Sequence, residues 1–429
     1  MASMTTNSLV LLPEDILLYI FKKLRYSDIR NVMSTCKTLR DIIKNDNGIW
    51  RSYSKENNII ILKDNADNRW FNELSMYNRC RICNNWNNGC YKSKSLIHHY
   101  TNYMPWIKFH QSEVLLLSVG SELVCYRADN KGIPNCTKSV WRVDVPKISR
   151  NDVRTNDISR FVVKDNMIVC GNRDGCVAVY KVNNILKRPK LEWHIKDCHE
   201  DGQAEVTAVE IINGRDQVLI VTGSNDSPDL LLCALRAGNG NNNVMYTQLP
   251  DCIGTKCLAL NKMGDKLAIG LNGNSQPMLL DVSNAHMLLT AEATKNHRQA
   301  VRDIQWHDEN TIVFVTHAGF LQLLDTRTRE VVYKTRDPFQ STLYCVKTDG
   351  ENGIIVGSAE YSRCVLFDAR TSEHHVQMYF TQRNTSPVYS LDFDSTKLIS
   401  AVDRGVAILN FNIDSSSQLK RDYSRHVFH

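Results

Sequence analysis

The sequence predicts an all-β propeller of seven blades preceded by a small all-α module, and two patterns predict it. In the first ~50 residues apolar side chains recur at intervals of three and four, the mark of helices buried along one face. From about residue 95 to 413 the pattern becomes short β-like runs between turns, with one strand start returning roughly every 42–49 residues. That is the period of a propeller blade of about four strands.

The helical module spans residues 8–54. Pro13 suits a first helical position, where the missing N–H would have no partner anyway. Glu14 and Asp15 bring negative charge to the positive end of the helix dipole. Ile16, Leu17, Ile20, Phe21 and Leu24 follow as a stripe. Ser27-Asp28 reads as a second helix start, and Ile29, Val32, Met33, Cys36, Leu39 and Ile43 continue the apolar repeat to Trp50. About forty residues cannot enclose a sizeable core alone, so this surface predicts a partner. The alternative is a helical cap packed on the main domain.

Residues 55–94 are rich in Asn and poor in apolar side chains, and read as a linker. One helix is expected near Arg69 to Tyr77, with Trp70, Phe71 and Leu74 on one side. Cys80-x-x-Cys83, then Cys90 and His98-His99, supply ligand types for a tetrahedral zinc site, but the later spacings fit no zinc module and ordinary thiols are preferred. No cofactor is expected.

In residues 95–413 the recurring starts are Ile158-Ser159-Arg160-Phe161, Val206-Thr207-Ala208-Val209, Thr255-Lys256-Cys257-Leu258, Val301-Arg302-Asp303-Ile304, Leu343-Tyr344-Cys345-Val346 and Val388-Tyr389-Ser390-Leu391. A second apolar strand with a small residue follows each, as in Ile354-Ile355-Val356-Gly357-Ser358, and then a third such as Val365-Leu366-Phe367-Asp368. A further unit fits from Glu113 through Trp141. The last unit runs out after Phe411, so closure needs a strand from the other end of the array, and Ser95–Tyr100 is the candidate. An eight-bladed ring or an open solenoid remains the alternative. The segment 414–429, Ser-rich and charged, is expected to be a disordered tail. Gly238–Asn243 reads as a loop between strands.

Composition narrows the function classes. The chain has 429 residues and a net charge of +6, and no stretch approaches the ~20 apolar residues of a membrane span. The basic excess lies in residues 1–110, with 16 Lys/Arg against 9 Asp/Glu, which suits an acidic partner for the helical module. Fourteen scattered cysteines read as buried free thiols of an intracellular, soluble chain, cytoplasmic with the nucleus also open. No basic block with interleaved aromatics points to nucleic acid, and no membrane partner is expected. Phosphate-loop, nucleophile-elbow and His-Glu-x-x-His motifs are absent, so a non-catalytic binding protein is expected.

The order Leu12-Pro13, Ile20-Phe21, Leu24, Val32, Cys36-Lys37-Thr38-Leu39-Arg40 and Trp50 resembles the F-box. The repeats resemble WD40, in which Asp281, Asp325 and Asp368 match the closing Asp while Leu280, Leu324 and Phe367 stand where Trp is usual. With Tyr103-Met104-Pro105-Trp106, Ser341–Gly350 and Ser386-Pro387-Val388-Tyr389, almost the whole chain is similar to the F-box/WD-repeat family. The resemblance implies a substrate-recognition subunit of a Skp1–cullin–F-box ubiquitin ligase, itself without bond chemistry, with an unknown protein as target. Leu12, Pro13, Ile16, Ile20, Phe21, Leu24, Ile29 and Val32 would hold Skp1. The propeller rim that reads the target would carry Arg173, Thr207, Asn225, Lys256, Arg302, His317, Tyr344, Tyr389 and Asp403. Arg173, Lys256, Arg302 and His317 would receive an acidic or phosphorylated segment beside Tyr344 and Tyr389. A WD-repeat scaffold outside any ligase, its helical module a cap, is the alternative.

Overall fold

A computed structural model describes residues 9–57, 59–60, 74–98, 104–149, 154–213, 217–235, 243–283, 286–290, 299–403, 405–414 and 423. The N-terminal module begins with a 3-10 turn, Leu9–Leu11, followed by α1 (Glu14–Phe21), α2 (Tyr26–Thr35), α3 (Lys37–Asn45) and α4 (Asn47–Asn57). Pro13 stands one position earlier than expected, as the N-cap of α1. The second helix starts at Tyr26 rather than at Ser27, with no side-chain cap. What reads as one repeat from Ile29 to Ile43 is two helices, because Cys36 adopts an extended backbone and its Sγ accepts the Leu39 N–H. Trp50 is fully buried among Leu17, Phe21, Tyr26, Ile29, Met33 and Ile43, and its indole N–H donates to the Ile43 carbonyl at 2.8 Å. No helix among the described residues is long and apolar enough to cross a membrane.

The segment expected to be a linker contains the element that joins the two halves. Helix α5 (Met76–Asn87) is capped by Ser75, whose hydroxyl accepts the Asn78 N–H. The expected helix at Arg69 to Tyr77 lies mostly outside the described residues, and α5 begins where that stretch ends. One end of α5 belongs to the helical module: Cys80 enters its core and donates to the Trp50 carbonyl, while Tyr77 meets the Trp50 ring edge-on at 5.1 Å. The other end belongs to the propeller. Trp86 stacks on Phe411 at 3.6 Å with an interplanar angle of 17°, and its indole N–H donates to the Ser395 carbonyl at 2.8 Å. Asn85 donates to the Phe411 and Ile413 carbonyls. Alternating burial of Cys80, Cys83 and Ile82, Trp86 explains why a helix without a simple apolar stripe still forms here: it is covered on more than one side.

Seven four-stranded antiparallel sheets follow, as the repeat predicts. Blade 1 starts with Ile107–His110, ahead of the expected Glu113, and blades 2 to 7 open with Ile158–Lys164, Ala208–Asn213, Gly254–Leu260, Val301–Trp306, Leu343–Thr348 and Val388–Phe393. Blade 7 has three strands of its own and takes its outer strand from Lys92–His98, which runs antiparallel to Gly405–Asn410 with Lys92 opposite Asn410. The closing strand thus starts three residues before the expected Ser95, and His99 and Tyr100 lie outside the described residues, as does most of Gly238–Asn243. Joining the two ends of the array removes two exposed edges.

The small residues in the second strands mark close approach between blades. A Cβ on Gly223 would lie 2.6 Å from Thr255 Cβ in the next blade, and one on Gly357 would lie 2.8 Å from Val388 Cγ1. Where the usual repeat signature is missing, other buried polar pairs tie blades together. His199 and Thr222 meet at 2.9 Å, and the fully buried Arg363 and Asp337 form an ion pair at 2.6 Å beneath Phe339. Within 414–429, expected to be a disordered tail, the described Tyr423 packs on the propeller: its N–H donates to Gln377, its carbonyl accepts from His375, and its ring meets Phe380 at 5.0 Å.

Replacing Trp86 with Ala removes the stacked ring and leaves a cavity between helix and propeller. The expected loss is about 3–5 kcal/mol, read as a lower urea midpoint, with the exposed Met263→Ala as control. An unchanged midpoint for Trp86→Ala would show that α5 is not part of the cooperative fold.

Candidate functional site: an open apolar helix face and the propeller rim

Two surfaces carry unused binding capacity. The first is built by α1. Successive residues on a helix are turned by about 100°, so the paired apolar residues Ile16-Leu17 and Ile20-Phe21 must split between two directions. Leu17 and Phe21 enter the module core at 1% exposure each, while Ile16 and Ile20 remain 45% and 37% exposed. Leu9, Leu11, Leu12, Pro13 and Tyr19 extend the outward surface. Of the eight residues expected to meet an adaptor, Leu12, Pro13, Ile16 and Ile20 are therefore presented to solvent. Leu24 and Val32 are half-buried against the core, and Phe21 and Ile29 are core residues. Phe21 and Ile29 are corrected from docking to structural roles, since the helical period turns them inward. Leu9, Leu11 and Tyr19 were missed, although four apolar residues in the five positions Ile16 to Ile20 already exceed what one core-facing stripe can bury.

The second surface is the rim where inner strands begin and second strands turn into third strands. Lys256, Arg302, His317, Tyr344, Tyr389 and Asp403 form a continuous arc over blades 4 to 7. Arg302 donates to His317 Nδ1 at 2.9 Å, and its guanidinium lies 5.1 Å from the Tyr344 ring centre. Arginine can only donate, so the neutral His317 ring carries its proton on Nε2. Tyr344 and Tyr389 meet edge-on at 5.7 Å, and the Tyr389 hydroxyl donates to Asp403 at 2.6 Å. Ser386 accepts the Asp403 N–H and, with Gln382, Arg383, Asn384 and Thr385, lines a depression of about 560 Å³ beside Asp403.

Over blades 2 and 3 the expected residues are less free. The Thr207 hydroxyl is spent on the Thr255 carbonyl at 2.8 Å, joining neighbouring blades. Asn225 donates to Asp226 and accepts from Asn272 through its own carbonyl. Arg173 lies in the field of Glu205, which burial pushes above the usual carboxylate range, Arg173 pulling it down and Asp226 adding to the rise. Glu205 and Asp226 were missed by sequence reasoning, because each lies next to a strand start or turn in a position with no repeat signature.

The cations of the arc strain one another. Burial first, and then the Arg302 charge, bring Lys256 down to about 8, with Asp226 and Glu205 pulling the other way. Burial, Arg302 and Lys256 together hold His317 below the ordinary histidine range. The Lys256 ammonium and the Arg302 guanidinium, beside the Tyr344 ring, offer a favourable place for an anionic group.

The F-box-like family matches residues 9–56, which covers α1 to α4 with its open apolar face. F-box/WD repeat-containing protein 4 of Mus musculus is 24% identical over 412 residues, 93% of this chain and 92% of its own length. The Homo sapiens protein of the same name is 23% identical over 407 residues, with the same coverage of each chain. The chain is thus similar to F-box/WD-repeat proteins along almost its whole length.

The cysteines in and just after α5 face backbone carbonyls. Cys80 donates to the Trp50 carbonyl and Cys83 to the Ile60 carbonyl, and Cys90 faces the Asn88 carbonyl. Burial pushes the Cys80 thiol up to about 12. Among the described residues no three metal-ligating side chains converge, and the His98 and His99 side chains lie outside them.

The lowered Lys256 gives a pH test. The folded state binds that proton less well than the unfolded state between about 8 and 10.5, so stability rises with pH across this window and the strain is fully present below it. Lys256→Met is expected to melt above the parent at pH 7, with the difference shrinking as pH approaches 10.5. A variant melting at or below the parent at pH 7 would show that Lys256 is compensated.

Proposed function

We propose that this protein is the substrate receptor of a Skp1–cullin–F-box ubiquitin ligase. The single observation that carries the reading is the open face of α1, Leu12, Pro13, Ile16, Tyr19 and Ile20, on a module whose own core is already complete. A cap would turn that face onto the propeller; here α5 makes the attachment and α1 is left free, which favours an external adaptor. The excess of Lys/Arg in this part of the chain suits an acidic adaptor of the Skp1 type. The rim arc of Lys256, Arg302, His317, Tyr344 and Tyr389 would hold an acidic or phosphorylated segment of the target protein.

The chain's contribution is proximity and not bond chemistry. Holding target and ubiquitin-charged enzyme in one assembly turns a bimolecular encounter into an intramolecular one. Fourteen unpaired cysteines are suited to a reducing compartment, and the cytoplasm is the proposed location.

Ile16→Asp with Ile20→Asp tests the adaptor face without touching the module core. Co-purification with Skp1 and cullin is expected to fall at least about tenfold, the size of losing one well-buried anchor, while the circular dichroism spectrum stays unchanged. Retention at the parent level would remove the ligase reading. Arg302→Glu should keep the adaptor and lose captured targets, and full target capture by that variant would place recognition elsewhere on the propeller.

A further inference from the structure

We propose a second ligand site, for a compact phosphate-bearing anion, in the lower half of the central channel, on the far side of the propeller from the rim. A cavity of about 440 Å³ opens there, lined among others by Trp106, Lys108, Arg160, Lys262, Gln305 and Lys347. Its volume falls within the range of roughly 300–1,000 Å³ that small ligands use.

None of the rim residues lines the cavity, and an ion pair beside it crosses the channel. Arg160 of blade 2 reaches Asp303 of blade 5, a non-adjacent blade, at 3.0 Å. Trp106 covers the other face of the guanidinium at 4.0 Å. Lys347 lies three residues further along its strand than the rim residue Tyr344, about 10 Å deeper at the usual strand rise.

The inventory of donors and acceptors points to an anion. Each carboxylate facing the channel already has partners in the protein. Asp303 accepts from Arg160 and from the Val346 N–H, and Asp392 accepts from the Phe109 N–H and pairs with Lys108 at 3.3 Å. Glu210 accepts the Ile211 and Leu260 N–H groups. The Lys347 ammonium, by contrast, has no hydrogen bond or ion pair within 4 Å among the described residues. Burial holds its proton affinity below the ordinary lysine range, with Asp392 and Asp303 opposing and Lys108 and Arg160 adding to the effect. The Trp106 indole N–H and the Gln305 amide are also without partners there, and Lys262 stands exposed at the mouth. Several convergent donors and cations with a single deep unpaired ammonium suit a multiply charged, compact oxyanion better than a carboxylate on an apolar body.

Pyrophosphate is the probe, titrated into the full chain and followed by calorimetry and by tryptophan fluorescence, which Trp106 and Trp306 report from the cavity wall. Saturable binding is expected, weakened about tenfold or more by Lys347→Met, the size of a lost charged hydrogen bond. Lys262→Glu, at an exposed position that does not threaten folding, is expected to weaken it severalfold and keeps the test informative should Lys347→Met misfold. Because the rim arc also offers cations to the probe, the series is repeated on the Arg302→Gln background, where channel binding and its weakening by both channel variants should persist. Absence of saturable binding, or binding lost in Arg302→Gln and kept in both channel variants, would overturn the proposal.

Discussion

Trp86 on Phe411 is the contact on which the arrangement of this molecule depends. Phe411 ends the last blade, and the closing strand Lys92–His98 follows α5 by only a few residues. The helix that joins the two halves is therefore held at the seam where the ring of blades is sealed. Its indole N–H, the neighbouring Asn85 amide and the Tyr379 hydroxyl, which donates to the Trp86 carbonyl, leave little polar backbone unsatisfied at the junction. Because Cys80 on the same helix is part of the helical module's core, the exposed face of α1 and the propeller are linked through one continuous packed unit. A flexible tether would spread the distance between them, whereas a buried helix confines it, and effective concentration falls with that spread.

The propeller supplements apolar packing with buried charge where repeat signatures are missing. Arg363 and Asp337 are fully buried, Arg160 and Asp303 nearly so, and each guanidinium is covered by an aromatic face, Phe339 or Trp106. Desolvated ion pairs of this kind gain little net stability over apolar side chains, but breaking one partner leaves a costly unpaired charge. Their value here is positional. Arg363 and Asp337 tie the end of the outer strand of blade 5 to blade 6, and Arg160 with Asp303 joins two non-adjacent blades across the channel.

The architecture was legible in the sequence because the repeat is long-range and redundant: six strand starts spaced alike outweigh the loss of any single signature residue. The seven sheets and the closure by an N-terminal strand followed from that spacing, and the absence of a fourth strand after Phe411 made the closure necessary. The connecting helix was not legible. Its residues are Asn, Arg and Cys between isolated apolar ones, since α5 is buried on several sides by surfaces distant in sequence and shows no single stripe. Similarly, the rim arc of Lys256, Arg302, His317, Tyr344 and Tyr389 could be placed from strand register, whereas Thr207 could be located but not seen to be bound to the neighbouring Thr255 carbonyl. Register tells which end of a strand a residue occupies; it does not tell which acceptors the next blade supplies.

The division of α1 into two apolar faces connects these levels. A helix of eight residues that served only its own module would need Leu17 and Phe21, with polar residues at Ile16, Tyr19 and Ile20. Those three apolar residues do nothing for the folded chain alone and raise its tendency to associate. Their presence is intelligible when the chain is one part of an assembly that covers them. The rim shows the same kind of cost: burial and the neighbouring Arg302 charge work against the Lys256 ammonium in the free protein. Both surfaces thus carry a cost in isolation, and α5, packed into the helical module at Cys80 and onto the propeller at Trp86, joins the two halves that bear them.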